Sequence, residues 1–192
     1  MMRRTALTKR HDGIAKCLHA FFERHDLPSQ LEPRVDGERL KPDVEVVING
    51  STFFLDVSLV SPVEATYVQR ASEDAFAPLR SREQHKITKY SEVAREAGGV
   101  VVPFVLSSFG GYGEKASGFI STLRSALLAA FDPFSDSTAG DPVAQLLRDI
   151  AAATQRGNAA AVMEARNRSG IRGRDAANLI WGRARLNPRH SA

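Results

Sequence analysis

At 192 residues, 43% hydrophobic and 25% charged, the chain is long enough for one domain with a substantial core plus an appendage. Its single cysteine, Cys17, excludes an internal disulfide, and one Cys with five histidines at no usual ligand spacing argues against a structural zinc. The net charge of +4 is uneven: residues 157–192 hold seven Arg, no Lys and two acids, so that segment carries +5 and the rest of the chain −1.

The basic N-terminal stretch MMRRTALTKRH is not followed by an apolar run long enough for a signal peptide or a membrane span. The expectation is a soluble intracellular protein, nuclear in a eukaryotic host, with no membrane partner. From about Thr5 to His25, Ile14, Leu18, Phe21 and Phe22 recur at helical spacing, and Pro28 ends the pattern. His11 falls on or near the buried stripe of this helix, where a satisfied core histidine is one reading and a site residue the other. Leu27 to Leu40 carries two prolines and little periodicity, with one short strand expected around Gln30 to Val35 that includes Glu32.

Lys41 to Val60, KPDVEVVINGSTFFLDVSLV, organises the rest. Two apolar β-runs flank Asn49-Gly50, the strongest short-range hairpin signal, and a two-residue turn there places Ile48 opposite Ser51. By the same register Asp43 lies opposite Asp56. Alternation puts Val44, Val46, Ile48, Phe53, Leu55, Val57 and Leu59 on one face, the core, and Asp43, Glu45, Val47, Phe54, Asp56 and Ser58 on the other. Facing strand positions have Cβ atoms roughly 4.5–5.5 Å apart, so the two carboxylates repel unless something neutralises them. A hard divalent cation does so; a solvated strand face with two incidental aspartates is the alternative.

After Ser61-Pro62, residues 63–79 are ambiguous, with a helical turn or two and Pro78 as a breaker. Ser81-Arg82-Glu83-Gln84 has the form of a capping box and predicts a helix from Arg82 to Ala97. Lys86, Tyr90, Val93 and Ala97 share one face of it, so Lys86 points where the core residues point and needs an anion or a route to water; Lys89 lies off that stripe. Gly98-Gly99 ends the helix. Val100 to Leu106 reads as a strand covered on both faces, with Pro103 arguing for an edge or a bulge. The glycines of Phe109 to Gly113 fit a strand-to-helix turn rather than a phosphate loop, because no Lys-Ser/Thr follows. Helices are predicted over Glu114 to Phe131 and Pro142 to Arg156, the second with Asp141 as N-cap, separated by a polar linker at 132–140. From Asn158 two further short helices are expected, broken at Ser169-Gly170, with Trp181 as their large apolar anchor. The Arg-rich segment suits phosphate contacts, since guanidinium forks bind phosphate bidentately; a solvated charged face is the other reading.

The order helix, strand, hairpin, helix, strand, with an acid opening one central strand, a second acid within the next and a lysine to follow, resembles the PD-(D/E)XK nuclease superfamily. Pro42-Asp43 matches its PD and Asp56 its second acid, but Ser58 stands where that family usually has lysine. The departure resembles the restriction-like endonuclease domain of site-specific non-LTR retrotransposons, which takes its lysine from the following helix in a K-x-x-x-Y pattern, here Lys86 to Tyr90. Lys9-Arg10-His11-Asp12, Glu32-Pro33, Lys41-Pro42-Asp43, Asp56-Val57-Ser58, Pro103-Phe104 and Phe109-Gly110 extend the resemblance over residues 9–131.

The resemblance implies an α/β (α+β) restriction-endonuclease-like core, a central mixed sheet with a β-hairpin flanked by helices, at residues 1–131. A linker at 132–140 and a helical, Arg-rich C-terminal extension at 141–192 follow. It implies Mg²⁺-dependent (or Mn²⁺-dependent) endonuclease cleavage of DNA. Asp43, Asp56 and the backbone carbonyl of Val57 would hold the metal, Lys86 would orient water or neutralise charge, and Tyr90 would support Lys86 or touch phosphate. Glu32 and His11 are further candidates, for an additional metal contact and for ordering the site. A reverse transcriptase or another part of a retroelement polyprotein is the implied partner besides DNA. Two rivals stand beside this: a nuclease-fold DNA-binding module without catalysis, and a small α/β domain unrelated to nucleic acid.

Overall fold

The computed structural model describes residues 6–35, 39–130 and 141–169. The predicted linker and residues 170–192 of the Arg-rich segment, with Trp181, lie outside the described residues. In chain order the elements are α1 (Ala6–Arg24), β1 (Ser29–Leu31), β2 (Val44–Ile48), β3 (Ser51–Val60), α2 (Val68–Glu73), α3 (Ala77–Glu96), β4 (Gly99–Ser107), α4 (Glu114–Ala130) and α5 (Pro142–Ser169). The four strands form one mixed sheet in the order β1-β2-β3-β4, antiparallel except for the parallel β3–β4 pair. The result is an α/β architecture, a mixed sheet flanked by helices.

The hairpin forms as its sequence dictates. Asn49 and Gly50 both take positive φ, 50° and 76°, the geometry of the tight turn whose twist matches the strands it joins. Ile48 pairs with Ser51 and Val44 with Leu55, the register expected from the turn. On one face Val44, Val46, Ile48, Leu55 and Val57 are buried with Ile14, Leu18 and Phe22 of α1 and with Phe119 and Leu123 of α4. On the other face Phe54 is buried with Leu40, Ala94 and Val101, against Tyr90 and Val93 of α3. Two covered faces explain why β3 is buried without interruption from Phe54 to Ser58. Strand β4 is an edge strand, which accommodates Pro103 because a missing N–H costs no ladder bond on the open side. Gly110, at φ +96°, makes the turn from β4 toward α4.

Three expectations need correction. Helix α3 starts at Ala77, not Arg82, with Pro78 in its first turn, where a proline sacrifices no intrahelical bond. Ser81 therefore lies inside the helix and is no cap, and the Asp74 carboxylate accepts the Phe76 N–H at the helix entrance instead. Helix α5 does not end at Arg156 but runs 28 residues to Ser169, so residues 158–169 form no separate short helix. The strand placed around Gln30 to Val35 is shorter and earlier, Ser29–Leu31, because Glu32 turns out of it at φ 51°.

Helix α5 also packs as part of the body rather than beside it. Val143, Leu146, Ile150 and Ala153 are buried in the same cluster as the sheet and α1. Asp141 caps α5 as expected, its carboxylate accepting the Val143 N–H at 3.0 Å. At the opposite face the buried Glu83 of α3 accepts the Lys115 N–H at 2.8 Å and so caps α4, ending in the space a side chain on Gly113 would fill.

Candidate functional site

The hairpin register and α3 together make one cleft. Asp43 sits one residue before β2, yet its backbone is held on both sides: its N–H donates to Leu55 O at 2.8 Å, and its carbonyl accepts the Glu32 N–H at 2.8 Å. Its side chain is held as firmly. Oδ2 accepts the Val57 N–H at 2.7 Å and lies 3.1 Å from His11 Nε2, which α1 presents from the neighbouring layer. Asp56, one residue beyond the last hairpin pair of Val44 with Leu55, is 7% exposed. Lys86 reaches down from α3 and donates to both Asp56 oxygens, at 2.6 and 3.0 Å. Tyr90, one helical turn on, stands with its ring centroid 5.5 Å from the Lys86 Nζ.

The space between these groups is an open cleft of about 500 Å³. Besides Asp43, Val57, Asp56, Lys86, Tyr90 and His11 it is walled by Arg10, Lys41, Arg82 and Glu64. Cations thus come from α1, from the segment before β2 and from α3, converging on two strand carboxylates.

The electrostatics follow from burial and pairing. Burial pushes the Asp56 carboxyl above its ordinary range, Lys86 pulls it back down, and the Asp43 charge pushes it up again. The hydrogen bond to Asp43 raises the His11 imidazole to about 9 against the cost of partial burial, with Asp12 adding at the other ring nitrogen, 3.4 Å away. His11 is therefore protonated at neutral pH and contributes positive charge beside Asp43.

Of the residues singled out from sequence, Asp43, Asp56, Val57, Lys86, Tyr90 and His11 all line this cleft. Glu32 does not: it is exposed, turned out at the end of β1, and only its backbone N–H touches Asp43. Sequence reasoning missed Arg10, Lys41 and Arg82. Arg82 had a legible signal, its position one turn before Lys86 on the same helix face. Arg10 stood only as a neighbour of His11 in Lys9-Arg10-His11-Asp12, because what holds it is tertiary: its stem crosses Gly157 of α5, and its Nη1 donates to Asn158 Oδ1 at 2.5 Å. Asn158 in turn donates to the Ser108 carbonyl at 2.8 Å, so α5 ties Arg10 to the end of β4.

Among the described residues no helix is long and apolar enough to cross a membrane. No known protein family's sequence profile and no curated protein matches this chain.

Proposed function

We propose that this cleft hydrolyses phosphodiester bonds of DNA with a divalent cation, Mg²⁺ or Mn²⁺, on a restriction-endonuclease-like core of the kind the sequence resembles. The observation that carries the reading is the convergence of two carboxylates from adjacent strands and a helix lysine in one open, cation-walled cleft. The residues present fit such an ion. Ionised Asp56 is burdened by burial and by Asp43, a load that a cation between the carboxylates relieves, and the Lys86 ammonium already stands as a cation against both Asp56 oxygens. Among the described residues no group of three or more His, Cys, Asp or Glu side chains converges, so the ion would rest on Asp43 and Asp56 alone; Mg²⁺ is commonly bound through one or two carboxylates, with water and phosphate in its remaining positions.

When bound at Asp43 and Asp56, such an ion activates water and stabilises charge on the phosphate. The chain's own residues prepare that chemistry. The Val57 N–H and His11 fix the orientation of Asp43 through Oδ2, and the residue lines the cleft. Lys86 favours the ionised form of Asp56 against its burial, and Tyr90 stands beside the ammonium. Arg10 and Lys41 give the walls the positive potential that draws a polyanion in.

One observation favours a second reading, a DNA-binding module without cleavage: each carboxylate already has a cation inside the protein, Asp43 with His11 and Asp56 with Lys86. Nicking of supercoiled plasmid separates the two. Hydrolysis that requires Mg²⁺ or Mn²⁺, stops in EDTA and is lost in Asp56→Ala and Lys86→Ala supports the nuclease. A DNA gel shift with no cleavage in either metal supports the binding module.

A further inference from the structure

Lys86 is the cation the sequence offers for the phosphate, but the structure commits it elsewhere. Its ammonium is shared between the two oxygens of a buried carboxylate, and its side chain is only 15% exposed. A cation with unspent donors stands one helical turn before Lys86 on the same helix. Arg82 lines the same cleft, and its Nε donates to Ser58 Oγ at 3.4 Å. Ser58 is a buried hydroxyl two residues after Asp56 on β3, hence on the same face of the sheet.

That tether holds the inner edge of the guanidinium against the strand beside Asp56. Its outer nitrogens, Nη1 and Nη2, have no hydrogen-bond partner among the described residues, and Glu64, the other acid of the cleft, forms no ion pair with them. The Arg82 charge reaches the site nonetheless, since it favours the ionised form of Asp56.

We infer that Arg82 is the residue that grips the phosphate undergoing cleavage, through Nη1 and Nη2, while Lys86 stays on Asp56; the inference rests on the nuclease reading above. A planar fork with two outward donors matches two oxygens of a phosphodiester, which a point-charge ammonium does not. In hydrolysis a water oxygen bonds to phosphorus, one ester P–O bond breaks, and the water's proton ends on the departing alkoxide, giving a phosphomonoester and a hydroxyl. The non-bridging oxygens gain charge on the way, and those are the atoms a guanidinium at this place addresses.

The test is single-turnover nicking of supercoiled plasmid in Mg²⁺ by the full chain and by Arg82→Ala and Arg82→Lys, with DNA binding measured in EDTA across a salt series. The expected result is a loss of about 100-fold or more in cleavage for Arg82→Ala, in line with removal of one transition-state donor, and partial recovery in Arg82→Lys. The slope of log affinity against log salt falls by about one in Arg82→Ala, the signature of one phosphate contact. Cleavage by Arg82→Ala at the wild-type rate overturns this inference and leaves the nuclease reading standing. Equal losses in the Ala and Lys variants with an unchanged salt slope overturn it too, because Arg82 then acts only by bracing Ser58. A wild type that binds DNA but cuts in neither Mg²⁺ nor Mn²⁺ overturns the nuclease reading and this inference with it.

Discussion

Replacing Lys86 by Ala removes the partner that favours the ionised form of Asp56, and the cost can be worked from the pair's geometry. Nζ lies 2.6 Å from Asp56 Oδ2, with the two side chains 15% and 9% exposed. Stranding one member of a fully buried pair costs about 3–5 kcal/mol; this pair opens onto a cleft that water can enter, so about 2 kcal/mol is expected, or a drop in Tm of about 4–8 °C for a chain of this size. The pH dependence fixes the cause. Because the folded-state pKa of Asp56 is raised, the folded protein binds that proton more tightly than the unfolded chain; its stabilising effect is greatest below the ordinary value of 3.8 and is lost as pH rises through the folded value. Lys86→Ala raises the folded value further. The variant's deficit is therefore small in acid and grows toward neutrality. Urea unfolding at about pH 4 and about pH 7 measures it, with Asp56→Asn and the double variant closing a cycle whose coupling is about 1–2 kcal/mol at the higher pH. Equal deficits at both pH values, or no coupling, would refute the reasoning.

The His11–Asp43 pair contributes with the same sign in a higher pH window. With the His11 pKa raised from 6.5 to about 9, its stabilisation is fully present below the lower value and is lost as pH rises through the upper one. Since about a third of the ring is exposed, the loss is about 1–2 kcal/mol, read by thermal unfolding in EDTA, and His11→Ala flattens the profile. Gly113→Ala drives a Cβ into the Glu83 carboxylate that caps α4 and costs about 1–3 kcal/mol in urea unfolding, much of it absent in a Glu83→Ala background. Gly157→Ala sits in a helix interior, where the change ordinarily stabilises by about 1 kcal/mol, but here the new methyl lands on the stem of Arg10. No gain in Tm is expected, and displacement of Arg10 weakens DNA binding in a salt series, with the slope reduced by about one.

How much of this was legible in the sequence varies with how local the determinants are. Asn49-Gly50 fixed the hairpin register through backbone preference alone from Ile48 with Ser51 to Val44 with Leu55, because a turn that needs two positive φ values leaves no freedom to slip; the regular pairing ends before Asp43, whose N–H also reaches Leu55 O. The face of α3 that carries Lys86, Tyr90 and Val93 was legible from helical period. The start of that helix was not, since Pro78 reads as a breaker unless it falls in the first turn, and placing the start at Ser81 disguised Arg82 as a cap-region residue. The length of α5 was obscured by Gly157, whose missing side chain is explained by the Arg10 stem lying across it and not by a helix end. Arg10, Asn158 and Ser108 lie far apart in the chain and are joined only by tertiary hydrogen bonds, which leave no periodic trace.

The central claim is that Asp43 and Asp56 act together on a phosphodiester with a divalent ion, and single-turnover plasmid nicking by Asp43→Asn and Asp56→Asn, each nearly isosteric with the wild type, tests it most directly. The account predicts metal-dependent nicking by the wild type, abolished in both variants while both still bind DNA in EDTA. Nicking that persists in either variant, or that proceeds equally in EDTA, would contradict it.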